Sequence, residues 1–257
     1  MTNKYGMGAL KDPVSSRDFP AARLLRGLAP IELPQDFQTW KNEPLTYQDG
    51  TPECVPSGMT EIRRLHELVE VGRYPDFDAH ALYLRCKEKD GIPEQGGTYP
   101  RVALDIMLHE GMPVKGYLSE SIFPCMRKSN FHPGYKIGGY WRIQNETDDQ
   151  IKQIIYQFGP ISCACTWYDE WSNMDGVEVF KDPIHTSGEG HHWVIDGWRD
   201  DLGWRVLNQW GAIWGKGGIA YMPFGMYRAK VLPEGDVWKL TDTLTTNKAL
   251  SRILIAS

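Results

Sequence analysis

Cysteine is scarce in this chain and unpatterned: five in 257 residues, an odd number, with no C-x-x-C pair. That argues against a disulfide scaffold and points to a reducing compartment. No C-x₂₋₄-C pair accompanies His185, His191 and His192, although Cys163 and Cys165 lie nearby, so no metal site is expected, and no cofactor. Basic charge is not in excess. Lys and Arg number 28 against 33 Asp and Glu, a net charge of −5, which leaves no electrostatic footprint for a nucleic-acid partner. Long apolar runs are missing too. Met1 to Leu10 holds one lysine and no apolar core of about 7–15 residues, so no secretory signal is expected. No window approaches the roughly 18 apolar residues of a membrane span. A protein made for the cytosol, or leaving it by another route, is the expectation.

With 41% hydrophobic and 24% charged residues, the chain has the composition of a globular protein, one large domain or two lobes sharing a cleft. After Cys54, Met59, Ile62, Leu65, Leu68 and Val69 recur at three or four positions, which predicts a helix with Cys54 at its N-terminus. Pro56 is tolerable only in that first turn. Further helices are expected over Asp78–Lys89 and Thr98–Glu110, each opened by a capping-type residue, and over Thr147–Phe158. In the last of these Thr147 and Gln150 form a capping box and Gly159-Pro160 stops the helix. Short β-prone runs follow at Ile161–Cys165, His192–Gly197, Trp204–Leu207 and Ile219–Met222. Helices early and strands late predict an α+β chain with two segregated lobes.

Four polar residues stand out in the order Gln48, Cys54, His191, Asn208. They make the parts list of thiol catalysis. A free thiol, with a pKa of about 8.5, needs a neighbouring imidazole or a helix N-terminus to become thiolate. The imidazole needs a third group to fix its tautomer, which Asn208 can supply, and the developing oxyanion needs donors, which Gln48 and the Cys54 N–H can supply. The separation of Cys54 from His191 lies inside the roughly 130–150 residues expected between such a cysteine and its histidine. His192 competes with His191, and strand alternation lets only one of them face a cleft.

At these residues the chain resembles the papain family of cysteine peptidases, most closely the shorter form found in bacteria, archaea and some phages. Cys-Gly-Ser-Cys-Trp of the papain proteins is replaced by Thr51-Pro52-Glu53-Cys54-Val55. The similarity continues through Ala81-Leu82-Tyr83 to Asp90-Gly91, Gly97-Thr98-Tyr99-Pro100-Arg101, Gly159-Pro160-Ile161, and Gly218-Ile219-Ala220-Tyr221-Met222-Pro223. It spans roughly residues 8–240.

The resemblance implies a papain-like two-lobed fold. A helical lobe (about 48–130) would carry Cys54, and an antiparallel, barrel-like β lobe (about 140–240, with the N-terminal segment) would carry His191 and Asn208. Residues 241–257 would be a C-terminal tail that could dock a partner. It favours His191 over His192, since a glycine six positions on, Gly197, would end the strand. It places Trp210 as a roof over the Asn–His bond and gives Gln209 little weight. The family's usual disulfide partner near the nucleophile is Thr51 here. The first forty residues look like the short leader of microbial members, too short for a long inhibitory propeptide, so control of activity is expected elsewhere.

The function implied is hydrolysis of peptide or isopeptide bonds in protein or peptide substrates through a thioester. Two alternatives stand beside it: a cell-wall peptide amidase or endopeptidase, phage-borne, and a non-catalytic papain-like module of a virion, the latter suggested by Pro56-Ser57-Gly58. The acidic segment Asp169–Glu189 would attract cationic substrate groups if it faced the cleft, or form a solvated loop. Cys86, Cys163 and Cys165 are expected as buried apolar side chains.

Overall fold

The computed structural model describes residues 5–16, 18–29, 31–39, 45–116 and 131–242. The apolar period after Cys54 builds α1 (Cys54–Val71), closed by Gly72 in the left-handed conformation at φ 72°, whose N–H reaches Leu68 O at 3.0 Å. Met59, Ile62 and Leu65 are buried; Leu68 and Val69 are only half-buried. The first half of α1 is covered on every side, Cys54 to Arg63 without exception. Its polar residues therefore need partners. Glu61 accepts from Thr46 N at 2.8 Å and Oγ1 at 2.7 Å and pairs with Arg64 at 3.0 Å, while Arg63 pairs with Glu67 at 2.6 Å and with Asp242.

Asp78 caps α2 (Ala79–Lys89) by accepting from Ala81 N at 3.0 Å. The third helix differs from expectation: α3 runs Pro100–His109, and Thr98 does not cap it. Proline occupies its first position and Tyr99 offers no capping side chain. The cap is borrowed from far away. Asp12, in the leader, accepts from Arg101 N at 3.1 Å, a carboxylate at the positive end of the helix. Two short strands, β2 (Met112–Pro113) and β3 (Phe131–His132), complete the helical lobe.

The second lobe is an antiparallel sheet of β4 (Ile137–Arg142), β5 (Ile161–Tyr168), β6 (Thr186–Arg199), β7 (Gly203–Leu207), β8 (Ile219–Met222) and β9 (Asp236–Asp242). Its order is β4-β9-β5-β6-β7-β8, and β1 (Asp36–Gln38) joins along β6. Helix α4 (Asp148–Phe158) packs on it. Both halves of the capping box form, Gln150 N to Thr147 Oγ1 at 3.2 Å and Thr147 N to Gln150 Oε1 at 2.8 Å, and Ile151, Ile154 and Ile155 are buried. Among the described residues no helix is long and apolar enough to cross a membrane.

Three strand features depart from the sequence reading. Gly197 does not end its strand: β6 runs on to Arg199 through a register shift between Ile195 and Gly197. A Cβ at Gly197 would stand 1.9 Å from Phe37 O, so glycine is what lets β1 approach. Strand β9 was hidden because Asp236, Lys239, Thr241 and Asp242 are polar yet buried. It carries the sheet past residue 240, so Thr241 and Asp242 are not tail; residues 243–257, with the docking role read for them, lie outside the described residues, as does Cys125.

Lys239 is fully buried, its Nζ donating to Pro160 O at 2.8 Å and lying 3.5 Å from His66 Nε2. Burial holds its pKa well below the ordinary 10.5. Between that lowered value and 10.5 the unfolded chain binds a proton that the folded chain refuses, so stability rises with pH across this window and levels off above it. Lys239→Met should flatten that slope in thermal melts run at stepped pH from neutral upward. A variant as pH-dependent as the wild type would mean the lysine is charged in the fold.

Candidate active site

Cys54 opens α1 with its sulfur sealed from water. Burial pushes the thiol pKa up to about 12, against the N–H groups of His192, Gly8, Val55 and Cys54 itself, each of which favours thiolate. The partial positive charge of the helix start favours thiolate as well. In this state desolvation outweighs it.

His191 lies on β6, which packs directly against α1. Its Nε2 is 2.8 Å from Asn208 Oδ1. An amide oxygen only accepts, so the ring proton sits on Nε2 and the Nδ1 lone pair is free. That Nδ1 is buried and has no hydrogen-bond partner. Burial drives the imidazole pKa down to about 3, with the Asn208 bond acting in the opposite direction. The Asn208 loop is itself held, Asn208 N donating to Gly218 O at 3.0 Å. Trp210 lies over His191 with ring centroids 4.2 Å apart and a 30° tilt, and Trp167 meets it edge-on at 4.7 Å. These indoles cover the Asn–His bond and belong to the core. Trp167 carried no sequence signal beyond its composition.

Gln48 is buried and its amide is occupied. One N–H of Nε2 goes to Thr51 O at 2.7 Å and the other to Gly6 O at 2.8 Å. Gly6 belongs to a leader strap, residues 5–10, laced between the lobes. Tyr5 stacks flat on Trp210 at 4.4 Å and 5°. Gly8 N and Ala9 N both donate to Gly190 O at 3.0 Å, Gly8 O accepts from Thr98 N at 2.8 Å, and Leu10 N donates to Thr98 O at 3.0 Å. The glycines are what allow such proximity: a Cβ at Gly6 would stand 1.8 Å from Thr51 O, and one at Gly8 2.3 Å from Pro52 O. Backbone bonds to Gly190 on one side and Thr98 on the other hold the strap in place, and its Gly8 N–H lies against the Cys54 sulfur.

The remaining candidates separate. His192 points away from His191, its Nε2 2.7 Å from Ser162 Oγ. Exposed His185 pairs with Glu170 at 2.8 Å, and Cys163 and Cys165 sit in the core with free thiols, as does Cys86. In the acidic segment Glu178 pairs with Lys216 at 2.7 Å, while Asp175 accepts from Tyr5 Oη at 3.4 Å and Ser187 Oγ donates to Met7 Sδ at 3.7 Å, so the segment meets the strap. Glu67, Glu70 and Asp242 bring carboxylate oxygens within 4.8 Å of one another, with Arg63 supplying the positive charge between Glu67 and Asp242.

The chain is similar to xylellain, a cysteine protease from Xylella fastidiosa, at 18% identity and a TM-score of 0.73, covering 94% of this chain and 97% of that one. It is similar to the digestive procathepsin L2 proteinase of Tenebrio molitor larval midgut (16% identity, TM-score 0.72, 93% and 79% covered). It is also similar to the Carica candamarcensis cysteine protease CMS1MS2, solved in complex with E-64 (18%, TM-score 0.63, 82% and 99% covered). These likenesses show the α+β two-lobed fold. Among curated protein sequences no match is found. The family description "Papain family cysteine protease" matches residues 82–231, more than half the chain, taking in His191 and Asn208 and beginning after Cys54. The chain belongs to the papain family of cysteine proteases, and its chemistry is that of a cysteine-type peptidase.

Proposed function

We propose that Cys54, His191, Asn208 and Gln48 carry out the peptidase reaction, and that the strap keeps the enzyme latent. The observation that carries this is a base with its lone pair free: His191 Nδ1 has no partner while Nε2 is committed to Asn208. When the strap leaves, water and the α1 N-terminus favour the thiolate, and His191 takes the thiol proton. The sulfur attacks the substrate carbonyl. The oxyanion is met by the Cys54 N–H and by the Gln48 N–H that Gly6 O vacates, a donor worth about 3 kcal/mol in comparable sites. His191 returns its proton to the leaving amine, a thioester remains, and a water deprotonated by His191 hydrolyses it.

A peptide epoxide probe tests the assignment. With the strap displaced by Gly6→Ala/Gly8→Ala and under reducing conditions, it should label Cys54 alone among the five cysteines and lose that labelling when His191→Ala is added. Labelling spread evenly over the cysteines would sink the proposal. Casein and purified peptidoglycan digested in parallel then show which amide is cut. Asn208→Ala should lower kcat by roughly tenfold or more, a fraction of the 10²–10⁴ contributed by the base, with KM little changed. Steady-state kinetics on a peptide substrate checks this, and a loss confined to KM would assign Asn208 to binding.

A further inference from the structure

His192 is a fully buried imidazole that the reaction above does not use. Its Nε2 is held 2.7 Å from Ser162 Oγ on β5. Its ring fills the space in front of Gly58, four residues into α1 from the nucleophile: a Cβ built there would stand 2.2 Å from Nδ1 and 2.3 Å from Cε1. The same point is 3.4 Å from Oε1 of Gln209, the buried residue after Asn208. One ring is thus wedged among the nucleophile helix, the strand beside His191 and the loop of the orienting asparagine. The His192 main chain takes part as well, its N–H being the first of the groups that favour thiolate at Cys54.

Packing alone does not account for this side chain. An apolar residue would fill the space without the cost of burying two ring nitrogens. His192 Nδ1 and Gln209 Oε1 are both buried without a partner. If the Ser162 hydroxyl donates to Nε2, the ring proton sits on Nδ1, so one side of Gly58 holds a donor lacking an acceptor and the other an acceptor lacking a donor. A small closing of the Asn208-Gln209 loop onto α1 would join them.

We propose that His192 is a positioning residue: its ring sets the spacing of α1 from the Asn208-Gln209 loop, and through it the approach of Cys54 to His191. This rests on reading Cys54 and His191 as the reacting pair. The test is the rate of Cys54 alkylation by iodoacetamide in the full chain with the strap displaced by Gly6→Ala/Gly8→Ala, followed by mass spectrometry, for that parent alone and with His192→Ala, His191→Ala or both. His192→Ala should slow alkylation about tenfold, the scale of a sub-ångström misplacement. In the His191→Ala background the same change should have less than about a twofold effect, because its influence travels through His191. Equal slowing in both backgrounds, or none in either, overturns the proposal. If His191→Ala leaves Cys54 alkylation unchanged, the pair itself is refuted and this inference with it, a distinct result. Gly58→Ala gives a second reading should His192→Ala fold poorly. Its Cβ is forced against the ring, so Cys54 alkylation should fall. A Gly58→Ala chain as reactive as its parent counts against it.

Discussion

In the Gly6→Ala/Gly8→Ala chain, Cys54 should react with iodoacetamide at pH 7 about 100-fold faster than in the wild type. Each added methyl would meet backbone oxygen, at 1.8 Å from Thr51 O and 2.3 Å from Pro52 O, and backbone cannot swing aside as a flexible side chain would. The strap should leave while the rest of the leader stays, since Asp18 is tied to Arg101 and Arg142, Ala22 N to Glu146, and β1 to β6. Burial now holds the thiol at about 12. Return to an ordinary thiol pKa of about 8.5 raises the thiolate fraction at neutral pH by more than three powers of ten. Intrinsic nucleophilicity falls with pKa at a Brønsted slope of about 0.4–0.5, which gives back roughly half of those decades. Access for the reagent adds to what remains. The pH profile carries the same sign: wild-type alkylation should climb toward about 12, whereas the variant should level off well below it. A variant that folds, yet alkylates at the wild-type rate over the whole range, would show that the strap is not what silences the sulfur.

With the strap displaced, His191→Ala should cost about 10³-fold in peptide turnover, the middle of the range for a positioned acid–base group. The loss should fall on kcat, since the imidazole meets the thiol and the leaving amine rather than the substrate at large. Cys54→Ala should abolish turnover, and adding His191→Ala to it should change nothing further, because the two act as one unit. The fold should tolerate the change at 191. The side chain's one hydrogen bond is to Asn208, and the indoles of Trp167, Trp193 and Trp210 would still enclose the space. Comparison of kcat and KM on a fluorogenic peptide decides the matter, and turnover within tenfold of the parent would hand the base role to another group.

What could be read along the chain was local. The α1 period, the α4 capping box and the strand Ile219–Met222 follow from neighbours within a few residues, and the structure has them where the pattern lay. What could not be read involves partners distant in sequence. The cap of α3 comes from Asp12, and Lys239 is buried in a strand whose polar side chains conceal it. The paired histidines show the limit within a single dipeptide. Alternation says that His191 and His192 face opposite ways, but only Asn208 on one side and Ser162 and Gly58 on the other show what each face meets.

The order of Gln48, Cys54, His191 and Asn208, the helix that begins at the cysteine and the α+β succession were written in residue type and spacing alone, because capping, periodicity and thiol chemistry act over short range. The seating of Tyr5–Leu10 across the sulfur, the occupation of the Gln48 amide by Gly6 and the raising of the thiol to about 12 were decided by tertiary structure. Desolvation depends on everything that surrounds an atom, and here one of those surroundings is a strap that begins almost fifty residues before it.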